Sequence, residues 1–177
     1  MPIIATAGSD SRTFTPAPAG VHQAVCVDVI DKGMIESQFV DERTGAKKVQ
    51  HKIDIAWQLA NERRDDNKRF IVYKRYTLSL NEKATLRKDR ESWRGRAFTR
   101  DEERGFDVES VIGVNGLVNV QHNTKGDKTY ANVASVMPLM KGMPKASAED
   151  YQRAVEGEPS SLAHDPAPEV TEDDIPF

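Results

Sequence analysis

The chain has 177 residues, 30% of them charged, with a mean hydropathy of -0.61 and a formal net charge of -3. That length suits one domain with appendages, and no run approaches the roughly 20 apolar residues of a membrane span. The first residues lack the basic-then-apolar order of a secretory leader, so a cytoplasmic protein is expected, and the single Cys26 excludes an internal disulfide.

Residues 1–19 hold Ser, Thr, Ala and prolines without periodicity, which reads as a flexible arm. Order is expected from Gly20. Val21, Val25, Val27 and Val29 share one parity of a β-branched run, so Val21 to Ile30 reads as a half-buried strand with those valines inward. Asp31-Lys32-Gly33 is a candidate bend, and Ile35 to Val40 either continues the strand or enters the next loop. After the polar turn from Asp41 to Gly45, the segment Lys47 to Leu59 carries the clearest alternation. Val49, His51, Ile53, Ile55, Trp57 and Leu59 point one way, and Gln50, Lys52, Asp54, Ala56 and Gln58 point the other. That pattern predicts a central strand buried on one side. Asn61 to Arg69 is a polar loop. Phe70 to Leu80 then reads as a third strand, with Phe70, Val72, Tyr76 and Leu78 on one face and Ile71, Tyr73, Arg75, Thr77 and Ser79 on the other.

Helical signals follow. Ser79 and Glu82 have the spacing of a capping box, Asn81 is an alternative N-cap, and Gly95 suits the position past the last turn. Leu86 and Trp93 fall on one helical face, and a second short helical turn is expected from Asp107 to Ile112, ending at Gly113. Strands return at Gly116 to His122 and Lys128 to Met137, joined by the turn formers Asn123 to Asp127. Past Lys145 the sequence becomes polar, with Ala148 to Val155 a candidate brief helix.

Three strands, a helical insertion and two further strands are the element order of the OB-fold, a five-stranded Greek-key barrel. The expected fold is therefore mainly β. It comprises an OB barrel over residues 20–145, the arm before it, and a disordered acidic tail with a docking tip over residues 146–177.

The net charge conceals a division. From Ala148 onward there are nine acids and one base, Arg153, whereas the rest of the chain holds 24 bases and 19 acids. A basic body can bind a polyanion by phosphate contacts and counterion release, and an acidic tail can compete for the same surface. The tail ends Asp173-Asp174-Ile175-Pro176-Phe177, an acidic run stopping on apolar residues at the carboxylate. A solubilising tail gains nothing from that order. The phenyl ring fits an apolar pocket on a partner while the flanking carboxylates meet bases around it.

No catalytic constellation stands out. The histidines His22, His51, His122 and His164 lack metal-ligand spacing, no Cys/His cluster has zinc spacing, and no nucleophile elbow or glycine-rich phosphate loop occurs. No cofactor and no metal are expected. Asp28, Asp31, Glu36 and Asp54 are the carboxylates available to a metal-dependent nuclease, and strand-edge and turn roles account for them more simply.

Binding chemistry is better represented. A site for single strands needs cations along the phosphates and flat rings for the bases, each stack worth about 1–3 kcal/mol. Lys68 to Tyr76 interleaves the two residue types, with Tyr73 and Arg75 on one face; Trp93 to Phe98 repeats the mixture with Arg94 and Arg96, and Lys125, Lys128 and Tyr130 repeat it on the last hairpin. With Lys52, these are the candidate nucleic-acid contacts. Trp57 and Tyr76 share phase with apolar neighbours and are assigned to the core, and Trp93 to packing of the helix. Lys47, Lys48 and Lys52 also suit a solvated edge that discourages strand-to-strand aggregation.

The C-terminal tip resembles that of bacterial and phage single-stranded DNA-binding proteins, the SSB family. Tyr76-Thr77-Leu78-Ser79-Leu80-Asn81-Glu82-Lys83-Ala84-Thr85-Leu86-Arg87, with Ser92-Trp93-Arg94-Gly95-Arg96, is similar to phage and prophage replication-associated proteins related to SSB. So is the block from Gly113 through Leu117-Val118-Asn119-Val120 to Tyr130-Ala131-Asn132-Val133. The resemblance implies an OB-fold that coats single-stranded DNA in replication, recombination or repair. It also implies a tip that recruits a helicase, polymerase subunit or nuclease. A homo-oligomer is compatible with it, although the body lacks that family's strand aromatics and no tetramer carries over. A replication adaptor or helicase loader binding mainly protein is the alternative, and a nuclease a distant third.

Overall fold

The computed structural model describes residues 15–154. Five strands, β1 (Gly20–Val40), β2 (Lys47–Arg63), β3 (Arg69–Thr77), β4 (Asn115–Lys125) and β5 (Lys128–Met137), form one antiparallel sheet in the order β3-β2-β1-β4-β5. Between β3 and β4 lie α1 (Thr85–Arg94), α2 (Arg100–Arg104) and a 3₁₀ turn at Val108–Val111. The fold is mainly β. Among the described residues no helix is long and apolar enough to cross a membrane.

The expected barrel is not closed by a backbone ladder. The outer strands β3 and β5 approach each other, but neither pairs with the other. Side chains occupy the seam instead. Lys74 Nζ of β3 donates to the Ala134 carbonyl at 3.0 Å, and Ser92 Oγ of α1 donates to the Val136 carbonyl at 2.8 Å. These two carbonyls of β5 thus accept from side chains at the seam, where no β3–β5 ladder forms.

The inward parity of β1 differs from expectation. Ala24 and Cys26 enter the main core opposite Leu59 and Trp57, whereas Val25 and Val27 lie on the other face and Val21 is exposed. A bulge between Cys26 and Asp28 inserts Val27 as an extra residue, returning Val29 to the main core. Such an insertion switches every later side chain to the opposite face, so one parity rule cannot run through it. Burial pushes the Cys26 thiol up to about 12 and keeps it an inert small core residue.

In β2, Ile53, Ile55, Trp57 and Leu59 are buried as expected, but so are Asp54, Ala56 and Gln58 on the face expected to meet solvent. In β3, Phe70, Val72 and Tyr76 are buried and Lys74 joins them, while Leu78 lies past the strand's end and is exposed. β1 continues through Gly33 to Val40 and forms a long ribbon with β2. Along it Met34, Val40 and Val49 are exposed.

α1 begins at an uncapped Ala84; Ser79 Oγ accepts from the Asn81 N–H and closes a preceding turn rather than the helix. Gly95 ends it in the left-handed region at φ 72°, as the sequence pattern required. Trp93 packs from α1 against Trp57 at 5.9 Å between centroids, and its Nε1 donates to the Asn115 carbonyl at 2.9 Å. Gly116 permits that approach, because a Cβ there would lie 2.4 Å from Trp93 Nε1.

The packed chain continues beyond Lys145. Residues 148–154 are irregular rather than helical, bending at Asp150 with φ 44°, and Glu149, Tyr151 and Arg153 each bond to the sheet. At the other end Ala17 is buried, and the Ala17 and Pro18 carbonyls accept from His122 and His22, which requires the hydrogen on Nε2 of each ring. The rest of the expected arm, residues 1–14, lies outside the described residues.

Candidate nucleic-acid interface

The outward face of β2 and β3 is assembled by register. Lys52 pairs with Thr77, Asp54 with Arg75, and Ala56 with Tyr73, so the predicted contacts Lys52, Tyr73 and Arg75 share one surface. Lys52 Nζ donates to Thr77 Oγ1 at 2.7 Å. Arg75 grips the buried Asp54 carboxylate through Nε at 2.8 Å and Nη2 at 3.0 Å, so much of its charge is answered within the protein. Tyr73 is half-buried in a second apolar cluster with Val25, Val27, Ala56, Ile71 and Tyr151.

Residues 146–154 form a strap across this face. Gln58 and Glu149 exchange two bonds, Gln58 Nε2 to the Glu149 carbonyl at 2.6 Å and the Glu149 N–H to Gln58 Oε1 at 2.8 Å. The fully buried Asp28 carboxylate accepts from Tyr151 Oη, Arg153 Nε, and the Val29 and Ala154 N–H groups, so its buried oxygens are satisfied. Burial, then the Asp28 charge, raises the Tyr73 pKa; burial, then Tyr73 and Asp28, raises that of Tyr151. Both phenols stay neutral near pH 7, which preserves the ring and hydroxyl of Tyr73 as uncharged groups.

The other predicted contacts lie elsewhere. Arg94 forms a fork with Glu102 at 3.0 and 2.9 Å, bonds the Ala97 carbonyl and covers the Phe98 ring at 4.2 Å. It locks α1 to α2. Arg96 reaches the same carboxylate at 3.3 Å and is itself exposed. Arg94 first, then the Thr99 N–H, holds the Glu102 carboxyl down at about 2. Thr99 and Glu102 form a capping box for α2, an element that the sequence reading passed over. Lys125 and Lys128 face each other as an exposed cross-strand pair at the β4–β5 tip, with Tyr130 two positions along opposite Asn123.

Sequence reasoning also missed Arg63 and Arg69, which pair across the β2–β3 end. Arg63 Nη2 lies 3.0 Å and Arg69 Nη2 2.7 Å from the Glu149 carboxylate. The outward parity that Arg69 shares with Tyr73 was the available signal. Of the carboxylates considered for a metal, Asp28 and Asp54 have the partners described above, Asp31 accepts from His51 and the Gly33 N–H, and Glu36 pairs with Lys47. Among the described residues no group of three or more His, Cys, Asp or Glu side chains is placed to hold a metal ion. The tip residues Asp173, Asp174, Ile175, Pro176 and Phe177 lie outside the described residues.

A scan against protein-family models finds no match, and a search of curated proteins finds no significant relative.

Proposed function

We propose that the protein is a non-enzymatic, OB-type single-stranded DNA-binding protein that coats DNA during replication, recombination or repair. One observation carries the reading. Lys52, Tyr73 and Arg75 lie on a single outward face of β2 and β3, the sheet face with which OB-folds bind oligonucleotides. The strand order, with the edges β3 and β5 turned toward each other and α1 inserted before β4, supports an OB barrel whose last seam is made by side chains. Lys125, Lys128 and Tyr130 supply cations and a ring on the β4–β5 hairpin, a second region used by such folds.

An electrophoretic mobility shift with single- and double-stranded probes, with and without magnesium, tests the reading. Retardation of the single strand, much weaker retardation of the duplex and no cleavage are expected. Magnesium-dependent cleavage supports a nuclease instead, and no retardation of either probe supports an adaptor.

The C-terminal tip is proposed to recruit replication or repair enzymes, with Phe177 entering an apolar pocket and Asp173 and Asp174 meeting its basic rim. Phe177→Ala preserves the charge. It is expected to lower affinity for a purified helicase, polymerase subunit or nuclease partner at least ~10-fold by calorimetry, and to leave oligonucleotide affinity unchanged. A parallel loss of DNA affinity contradicts this division of labour.

A further inference from the structure

We infer that Arg63 and Arg69 form a phosphate subsite for the single strand, and that Glu149 occupies this subsite when no nucleic acid is bound. The inference rests on the DNA-binding reading and names a site within it. Arg63 and Arg69 are cross-strand partners, and their guanidinium groups converge on one carboxylate, with Nη2 to oxygen distances of 3.0 and 2.7 Å. Two guanidinium groups around two oxygens sharing one negative charge is also the arrangement that binds a phosphodiester. Arg69 Nε is buried and has no partner, so the fork retains an unused donor.

Position makes the subsite part of the strand's path. Arg69 has the outward parity of Tyr73 and Arg75, and the strap that carries Glu149 also packs Tyr151 onto the Tyr73 cluster. Tyr151 packs on the same cluster as Tyr73 and limits access of a base to that half-buried ring. Nucleic acid that stacks there lifts the strap, and lifting it withdraws Glu149 from the two arginines. A backbone phosphate then takes the place of the carboxylate, so the subsite keeps an anion in both states. Ala146 stays tied to Asn115 by two hydrogen bonds at the start of the strap, and the anchors beyond it, the Ser147 carbonyl to Arg69 Nη1, Gln58 to Glu149, Arg153 to Glu109, and Asp28 to Tyr151, Arg153 and the Ala154 N–H, are hydrogen bonds and ion pairs that water can replace once the face opens.

The test is anisotropy titration of a labelled oligo-dT across a salt series. Glu149→Gln keeps the backbone bonds to Gln58 and removes the competing charge. It is expected to tighten binding about 3- to 10-fold at low salt and to steepen the log–log salt slope by about 0.7, one further counterion equivalent. In an Arg63→Ala/Arg69→Ala background the same substitution is expected to have no effect. Hydrogen exchange at the Glu149 and Ala154 amides, whose acceptors are Gln58 and Asp28, is expected to speed up when oligo-dT is added. An unchanged affinity and slope in Glu149→Gln, a gain that persists without the two arginines, or slower exchange of the strap on binding overturns the subsite. If the unaltered chain binds no oligo-dT, the DNA-binding reading falls and the subsite with it; binding by that chain with an inert Glu149→Gln overturns the subsite alone.

Discussion

Replacing Lys74 with alanine is expected to lower the unfolding free energy by about 3–5 kcal/mol, read as a fall in the urea midpoint at unchanged m-value. Against a typical stability of about 5–15 kcal/mol, that is enough to leave the domain marginal. Lys74 points into the core with 5% of its side chain exposed, and Nζ bonds Asp89 Oδ2 at 2.8 Å and the Ala134 carbonyl at 3.0 Å. Tyr76 Oη donates to the same Asp89 oxygen at 2.8 Å. Three elements therefore meet at one ammonium: β3, α1 and β5. Alanine strands a poorly solvated carboxylate and leaves the Ala134 carbonyl at the seam without that donor. The pair Lys74→Met/Asp89→Leu removes both charges and is expected to recover most of the loss, since apolar replacement of a buried pair is often close to neutral. A Lys74→Ala cost within about 0.5 kcal/mol, the range of surface substitutions, contradicts the role assigned to this seam.

Lys74 also shows where reading the sequence stops. The alternation through β3 assigned Phe70, Val72 and Tyr76 to the core correctly, and a lysine in the same phase carries no mark of a carboxylate waiting on α1. Its partner is distant in sequence and declares itself only through packing. The existence and chain order of the five strands were legible because β2 and β3 alternate with period two and turn formers bound the β-branched runs, and Gly95 marked the end of α1 because its conformation favours glycine.

What pattern could not supply was the second buried layer. Asp54, Ala56 and Gln58 read as solvent-facing, and on an isolated hairpin they would be. Gln58 and Ala56 are buried where the strap returns with Glu149 and Tyr151, and Asp54 where Arg75 closes on its carboxylate, whereas the sequence of the strap reads as a polar tail with a brief helix. The same blindness affected the candidate contacts. Arg75 and Arg94 are indistinguishable in sequence from phosphate-binding cations, yet each holds an internal carboxylate through two hydrogen bonds. The bulge at Val27 belongs to the same class, since the extra residue is visible only against the register of β2.

Raising monovalent salt from about 50 to about 200 mM is expected to weaken oligo-dT binding by about 50-fold. The estimate counts the proposed contacts other than Arg75, Arg94 and Arg96, whose guanidinium groups meet an internal carboxylate. Arg94 is spent on Glu102 and Arg75 on Asp54, so neither releases much counterion when a phosphate approaches. Lys52, Lys125 and Lys128 contribute, together with the one net charge of the Arg63, Arg69 and Glu149 cluster. About four contacts at a slope of about -0.7 each give a log–log slope near -3, and a four-fold rise in salt then costs about 50-fold. Lys125→Ala/Lys128→Ala is expected to flatten the slope by about 1.4, because both residues lie exposed at the hairpin tip. Arg94→Ala is expected to loosen the α1–α2 junction and lower the melting temperature with the slope intact. A slope insensitive to the lysine pair but flattened by Arg94→Ala would place the phosphate path along α1, and a wild-type affinity that changes less than about three-fold over this range would exclude a phosphate-tracking groove altogether.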